Sequence, residues 1–207
     1  MTCSTEWWRL PSSRDRRKGL VVVVTGTPGT GKSTFARALD RRAGNASLIE
    51  INNVAKELGL YTGNTWHGSK EVRIRQLAAA VRRRIGAAKG LTIVVGHLAP
   101  DLGIKCDVAV VTRLGLRKLA ERLSARKYHA DKIRENLISE ALDYCGTAME
   151  GLARETYEVE KPGEMAAVQR YIAARAAGRY ASAPKARRYS KEKELVSMVK
   201  GGNRYGL

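Results

Sequence analysis

Eight consecutive residues carry the clearest chemistry in this chain: Gly26-Thr27-Pro28-Gly29-Thr30-Gly31-Lys32-Ser33. They follow G-x-x-x-x-G-K-[ST], in which glycines permit a tight turn whose backbone N–H groups converge on phosphate oxygens. A helix starting directly afterwards would add the positive end of its dipole to the same anion site. Lys32 is then expected to reach the β- and γ-phosphates of a nucleoside triphosphate, and the Ser33 hydroxyl to ligate Mg²⁺. His97 is a second candidate, because it comes just after the strand-like run Leu91–Val95. His67 and His129 have no constellation around them. Cys3, Cys106 and Cys145 are odd in number and far apart, so they form neither a disulfide framework nor a zinc pattern. That favours a reducing compartment.

A P-loop needs a strand before it and a helix after it, and the flanks supply both. Leu20–Thr25 is short, apolar and β-branched, which marks a buried strand. Lys32–Ala43 spaces Phe35, Ala36 and Leu39 along one helical face. Further on, Ser47–Ile51, Leu91–Val95, Asp107–Thr112 and Tyr157–Glu160 read as strands. Val54–Leu58, Val72–Ala88, Leu116–Ser124, Asp131–Thr156 (with a break near Gly146) and Glu164–Ala177 read as helices. Strands alternating with helices predict an α/β domain, its mainly parallel sheet covered by helices on both faces. In such folds ligands bind beyond the C-terminal ends of the strands, which makes Arg113, just past the fourth strand, a further candidate.

The chain has 207 residues, 43% hydrophobic and 28% charged, as expected of a folded globular domain. No apolar run exceeds five residues (Leu20–Val24 is one such), which excludes a membrane-spanning helix, and the first 19 residues lack the apolar stretch of a secretory signal. The unusual feature is charge: 38 Lys and Arg against 20 Asp and Glu give +18. Residues 1–19 carry +3 and residues 176–207 carry +6, so half of the excess sits on about a quarter of the chain. These segments read as basic appendages on a core of residues 20–175. Such a balance favours a polyanionic partner, nucleic acid ahead of membrane.

The stretches VVVVTGTPGTGKSTFARAL, INNVAKELGLYTG, VVGHLAPDL and VVTRLGLRKLAERLSARKYHADKIRENLISEAL occur in that order. Together they resemble the adenylate kinase isoenzyme 6 family over residues 20–160. The resemblance implies a P-loop NTPase of the nucleotide-kinase type, with a small nucleoside-monophosphate cover at 52–70 and a lid at 125–135. It implies ATP-phosphate contacts by Gly29, Gly31, Lys32, Ser33 and Thr34, a lid contact to ATP by Arg126, and a functional role for His97. Three positions depart from the family pattern. Val95 stands where family members carry an acid two residues before the histidine, with Asp101 and Asp107 the nearest acids. Asn53 replaces an acid seen in some relatives, and Lys127 replaces the lid's usual glycine.

What the resemblance implies for function is a Mg·ATP-dependent kinase with AMP as first acceptor, ATPase activity, and a cytoplasmic role in small ribosomal subunit maturation. Its expected partners are a small-subunit ribosomal protein or rRNA, with no membrane and no specific DNA sequence. Two alternatives stay open: a nucleotide-switched assembly factor with little turnover, and a P-loop kinase acting on RNA or on a small metabolite.

Overall fold

The computed structural model describes residues 19–64 and 70–202. Expectations on the N-terminal extension before Gly19, on His67 and on the last five residues fall outside the described residues.

Five parallel strands form the sheet: β1 (Val21–Thr25), β2 (Ala46–Glu50), β5 (Leu91–Val95), β6 (Cys106–Thr112) and β7 (Ala153–Val159), in the order β2-β5-β1-β6-β7. β1 is central, with Val24 opposite Val95 of β5 and Val110 of β6. Alternation along β1 divides its valines between the two faces. Val23 packs with Val94 and Ala109 on the face covered by α2 (Ile51–Glu57) and α3 (Ile74–Ala87). Val22 and Val24 pack with Ile93, Val108 and Val110 on the face covered by α1 (Lys32–Ala43) and α7 (Pro162–Ala176). Both faces being dry, β1 has no polar residue before Thr25. Each fully buried valine or leucine contributes roughly 1.5–3 kcal/mol, enough to pin the strand that launches the P-loop.

A third cluster lies beyond the sheet edge. Leu116, Leu119 and Leu123 of α4 (Leu116–Ala125) meet Ile133 and Leu137 of α5 (Ala130–Ala141) and Met198 of α8 (Glu192–Lys200).

Two expectations need correction. The helix expected over 131–156 is instead α5, a short α6 (Tyr144–Ala148) and the start of β7. Asp143 breaks it: its backbone adopts a left-handed φ of 52°, and its carboxylate both accepts from the Gly146 amide and pairs with Arg113. The helix expected from Val72 begins at Ile74, because Val72 pairs with Tyr61 in an antiparallel hairpin of β3 (Tyr61–Asn64) and β4 (Lys70–Val72). That hairpin and α2 occupy the stretch expected to be the monophosphate cover.

The basic C-terminal segment is laid along the core. Lys191 pairs with Glu160 at 2.8 Å, Arg187 with Glu164 at 3.1 Å and Arg188 with Glu150 at 2.7 Å. The Tyr189 amide donates to Glu158, and Met198 is buried. Val196 and Val199 of α8 remain exposed, while Leu195 turns inward. Among the described residues no helix is long and apolar enough to cross a membrane.

Candidate nucleotide-binding site

The P-loop leaves the C-terminal end of β1 between β5 and β6, where the strand order reverses. Gly26, Gly29 and Gly31 have φ of 133°, 98° and 106°, values side-chain-bearing residues rarely take. Gly26 is also pressed against β6: a Cβ there would lie 2.4 Å from the Thr112 carbonyl oxygen. Over Gly31 a Cβ would meet nothing within 4 Å, so the inner side of the loop is open. Hydroxyls knit the turn. Thr30 Oγ1 donates to the Thr27 carbonyl at 2.8 Å and lies 2.7 Å from Thr112 Oγ1.

Lys32 Nζ donates to the carbonyls of Gly26 and Thr27 at 2.8 and 2.9 Å, which holds its charge over the loop. Burial pushes its pKa down to about 8, so it stays a cation at neutral pH. α1 starts at Lys32 with no acidic residue in its first turn, leaving its positive end unneutralised. An open concavity, amides at a helix start and a held ammonium fit a phosphate group. Ser33 and Thr34 are exposed in that first turn. Ser33 offers one hydroxyl to Mg²⁺, whose other ligands would be phosphate oxygens and water. Among the described residues no group of three or more His, Cys, Asp or Glu could hold a metal by itself.

His97 is half-buried in the turn after β5. Burial, with the charges of Lys32 and Lys132, pushes its pKa down to about 4, opposed by Asp101. It is therefore a neutral imidazole within the field of Lys32. Arg126 is exposed at the C-terminal end of α4, and its charge also reaches Lys32. Lys127 adopts a left-handed φ of 58°, the conformation a glycine takes without strain.

Of the acids near the missing carboxylate, Asp107 accepts from the Val21 amide, which puts it at the opposite edge of the sheet. Asp101 accepts from the Tyr144 hydroxyl at 2.5 Å. Val95 itself is buried among apolar neighbours. Asn53 donates to Glu50 at 3.1 Å. Arg113 is not on the ligand face: it is 1% exposed and spends its guanidinium on Glu140, Asp143 and Glu158.

Three residues at the site escape a reading of the sequence. Arg122 donates to the Gly29 carbonyl at 3.1 Å and ties α4 to the P-loop. Its spacing of four from Arg126 puts both cations on one helical face, a signal the sequence does carry. Glu140 accepts from Thr27 Oγ1 at 2.7 Å, and burial raises its pKa against the pull of Arg113, Thr27 and the Leu114 amide. Cys145, also raised by burial, contacts Thr25 and Gly26 at the base of the loop. Among these, only Arg122 has a periodic signature.

The chain is similar to known proteins over much of its length. Residues 22–143, more than half of the chain, match a family model described as an AAA domain. A Pyrococcus furiosus protein named "Putative adenylate kinase" is 34% identical over 125 residues, which is 60% of this chain and 65% of that protein. A Methanosarcina barkeri protein of the same name is 32% identical over 152 residues, 70% of this chain and 79% of that one. Among solved structures, shikimate kinase from Acinetobacter baumannii in complex with shikimate superposes with a TM-score of 0.54 at 16% identity. That match covers 81% of this chain and 98% of that one. The fold is an α/β P-loop NTPase, and the chain belongs to the AAA-domain family that the model describes.

Proposed function

We propose that the chain is a Mg·ATP-dependent nucleoside-monophosphate kinase, with AMP its first acceptor, and that it also hydrolyses ATP. The observation that carries this reading is the Lys32 ammonium, fixed by two P-loop carbonyls over an open loop at the acid-free start of α1. The names of the relatives support the acceptor class. Gly29, Gly31, Lys32, Ser33 and Thr34 would hold the triphosphate. Mg²⁺, bound through Ser33, would neutralise phosphate charge. Arg126 would swing onto the phosphates with residues 125–135 as a lid, adding positive charge where the transferring group spreads its own. His97, neutral, would orient water or the loop over the γ-phosphate. Residues 52–70 would cover the acceptor and exclude water. The resemblance to the isoenzyme 6 family extends the proposal to small ribosomal subunit maturation in the cytoplasm, with rRNA or a ribosomal protein as partner.

Product analysis after incubation with Mg·ATP and each monophosphate tests the activity. ADP from AMP and ATP is expected, and Lys32→Ala should lose both phosphate-dependent affinity and turnover. A Lys32→Ala protein as fast as wild type would end this reading. One observation favours a second reading: Val95 leaves no carboxylate on β5 for the metal. A nucleotide-switched binding factor would bind ATP tightly, form little product with any monophosphate, and change its partner affinity with the nucleotide.

A further inference from the structure

Thr27 and Glu140 lie 113 positions apart, yet Thr27 Oγ1 donates to Glu140 Oε2 at 2.7 Å, and each residue is 2% exposed. The other carboxylate oxygen is also occupied. Oε1 accepts from the Leu114 amide at 3.1 Å and lies 3.1 Å from Arg113 Nε. Arg113 is held in turn by Asp143 and by the Glu140 and Tyr189 carbonyls. Two donors, the Thr27 hydroxyl and the Leu114 amide, and the charge of Arg113 thus fix the carboxylate, and Thr27 is the donor that belongs to the P-loop. On its other side, the Thr27 carbonyl accepts from Lys32 Nζ at 2.9 Å, from Thr30 Oγ1 at 2.8 Å and from the Thr30 amide at 3.2 Å. One residue therefore stands between a buried, clamped carboxylate and the phosphate-binding lysine.

We propose that Glu140 is a positioning residue for the phosphate cradle, acting through the Thr27 hydroxyl to fix the loop and thereby Lys32. This rests on the nucleotide-binding reading. A loop with three glycines at positive φ has conformational freedom to lose, and a buried charge-assisted hydrogen bond at its second residue removes part of it before any ligand arrives. α5 thereby supports a loop it never touches through the ligand.

The test measures ATP and adenosine affinity by calorimetry for wild type, Thr27→Val, Thr27→Ser and Glu140→Gln. Valine keeps the shape of threonine and puts a methyl where the hydroxyl donated to Glu140. Thr27→Val is expected to weaken ATP about tenfold, the order expected for a lost hydrogen bond to a charged group. Adenosine, which has no phosphate, should be unaffected, and Thr27→Ser should recover ATP affinity. The double variant Thr27→Val/Glu140→Gln should lose less than the two single losses combined, as coupled partners do. Unchanged ATP affinity in Thr27→Val overturns the inference, as does an equal loss for ATP and adenosine, which would mean general loosening. A wild-type protein that does not bind ATP overturns the nucleotide reading itself, and the inference with it.

Discussion

His97 is half-buried and feels the charge of Lys32, and its protonation is therefore tied to folding. Its pKa is lowered from 6.5 to about 4 by burial and by Lys32 and Lys132. Between those values the unfolded chain holds the proton and the folded chain does not, so falling pH favours unfolding. Stability should drop as pH falls from about 6.5 to about 4, and His97→Gln should flatten that part of the curve. Urea denaturation at half-unit pH steps measures it, and identical pH profiles for the two proteins would contradict the assignment. The same residue shows what is legible at this scale. A histidine after a strand can be found in the sequence, and so can Lys32 and Ser33, because phosphate chemistry demands a fixed local spacing. The burial and charge that set its pKa come from distant segments, which spacing does not record. Arg113 is the counterexample: it stands at the ligand-binding edge in sequence order, but its partners at 140, 143 and 158 turn it inward.

Among elements, β5 carries the departure with the largest chemical consequence. Val95, at its C-terminal end, packs with Val24 and with Phe35 and Ala36 of α1. Val95→Asp would set an ionised group in this apolar surrounding, at a cost of several kcal/mol unless a metal or a proton neutralises it. The variant is expected to melt lower than wild type without Mg²⁺ and to recover with Mg·ATP, with a higher Mg²⁺-dependent rate. Thermal melts with and without Mg·ATP, and product formation at saturating Mg²⁺, check this. A folded variant with no gain in rate would assign the metal's second ligand elsewhere. Elements with strong periodicity are readable: β1, α1 and β5 occupy nearly the expected residues. Those defined by pairing are not. β3 and β4 are short and hold each other, and β7 begins within the expected helix because a strand to pair with, β6, outweighs the helical spacing of 131–156.

Over the whole molecule, the excess of positive charge is less free than the sequence suggests. Arg187, Arg188 and Lys191 answer Glu164, Glu150 and Glu160, so the C-terminal segment neutralises acids of the core. Deleting residues 178–207 would also remove the buried Met198, and truncating a buried methionine to alanine alone costs about 2–5 kcal/mol. Substitution separates charge from folding. Replacing the exposed Arg179, Lys185, Lys193 and Lys200 with Gln should leave ATP affinity unchanged. If these cations neutralise RNA phosphates, the slope of log affinity against log salt should flatten by about 0.7 for each single-strand phosphate they had paired. Filter binding to small-subunit rRNA across a salt series measures it, and an unchanged slope removes these four from the interface.

Two buried thiols among the described residues give the molecule internal clocks. Cys106 begins β6 and Cys145 backs the P-loop, and burial raises both pKa values, Cys106 to about 12. Neither can be alkylated while its surroundings stay closed, because a protonated, covered thiol is a poor nucleophile. Each therefore reacts at the frequency with which its own neighbourhood opens, one timing the sheet and the other the nucleotide cradle. With iodoacetamide and peptide mass spectrometry, ATP is expected to slow the Cys145 clock several-fold more than that of Cys106. Equal slowing would mean that the cradle opens only when the whole domain does.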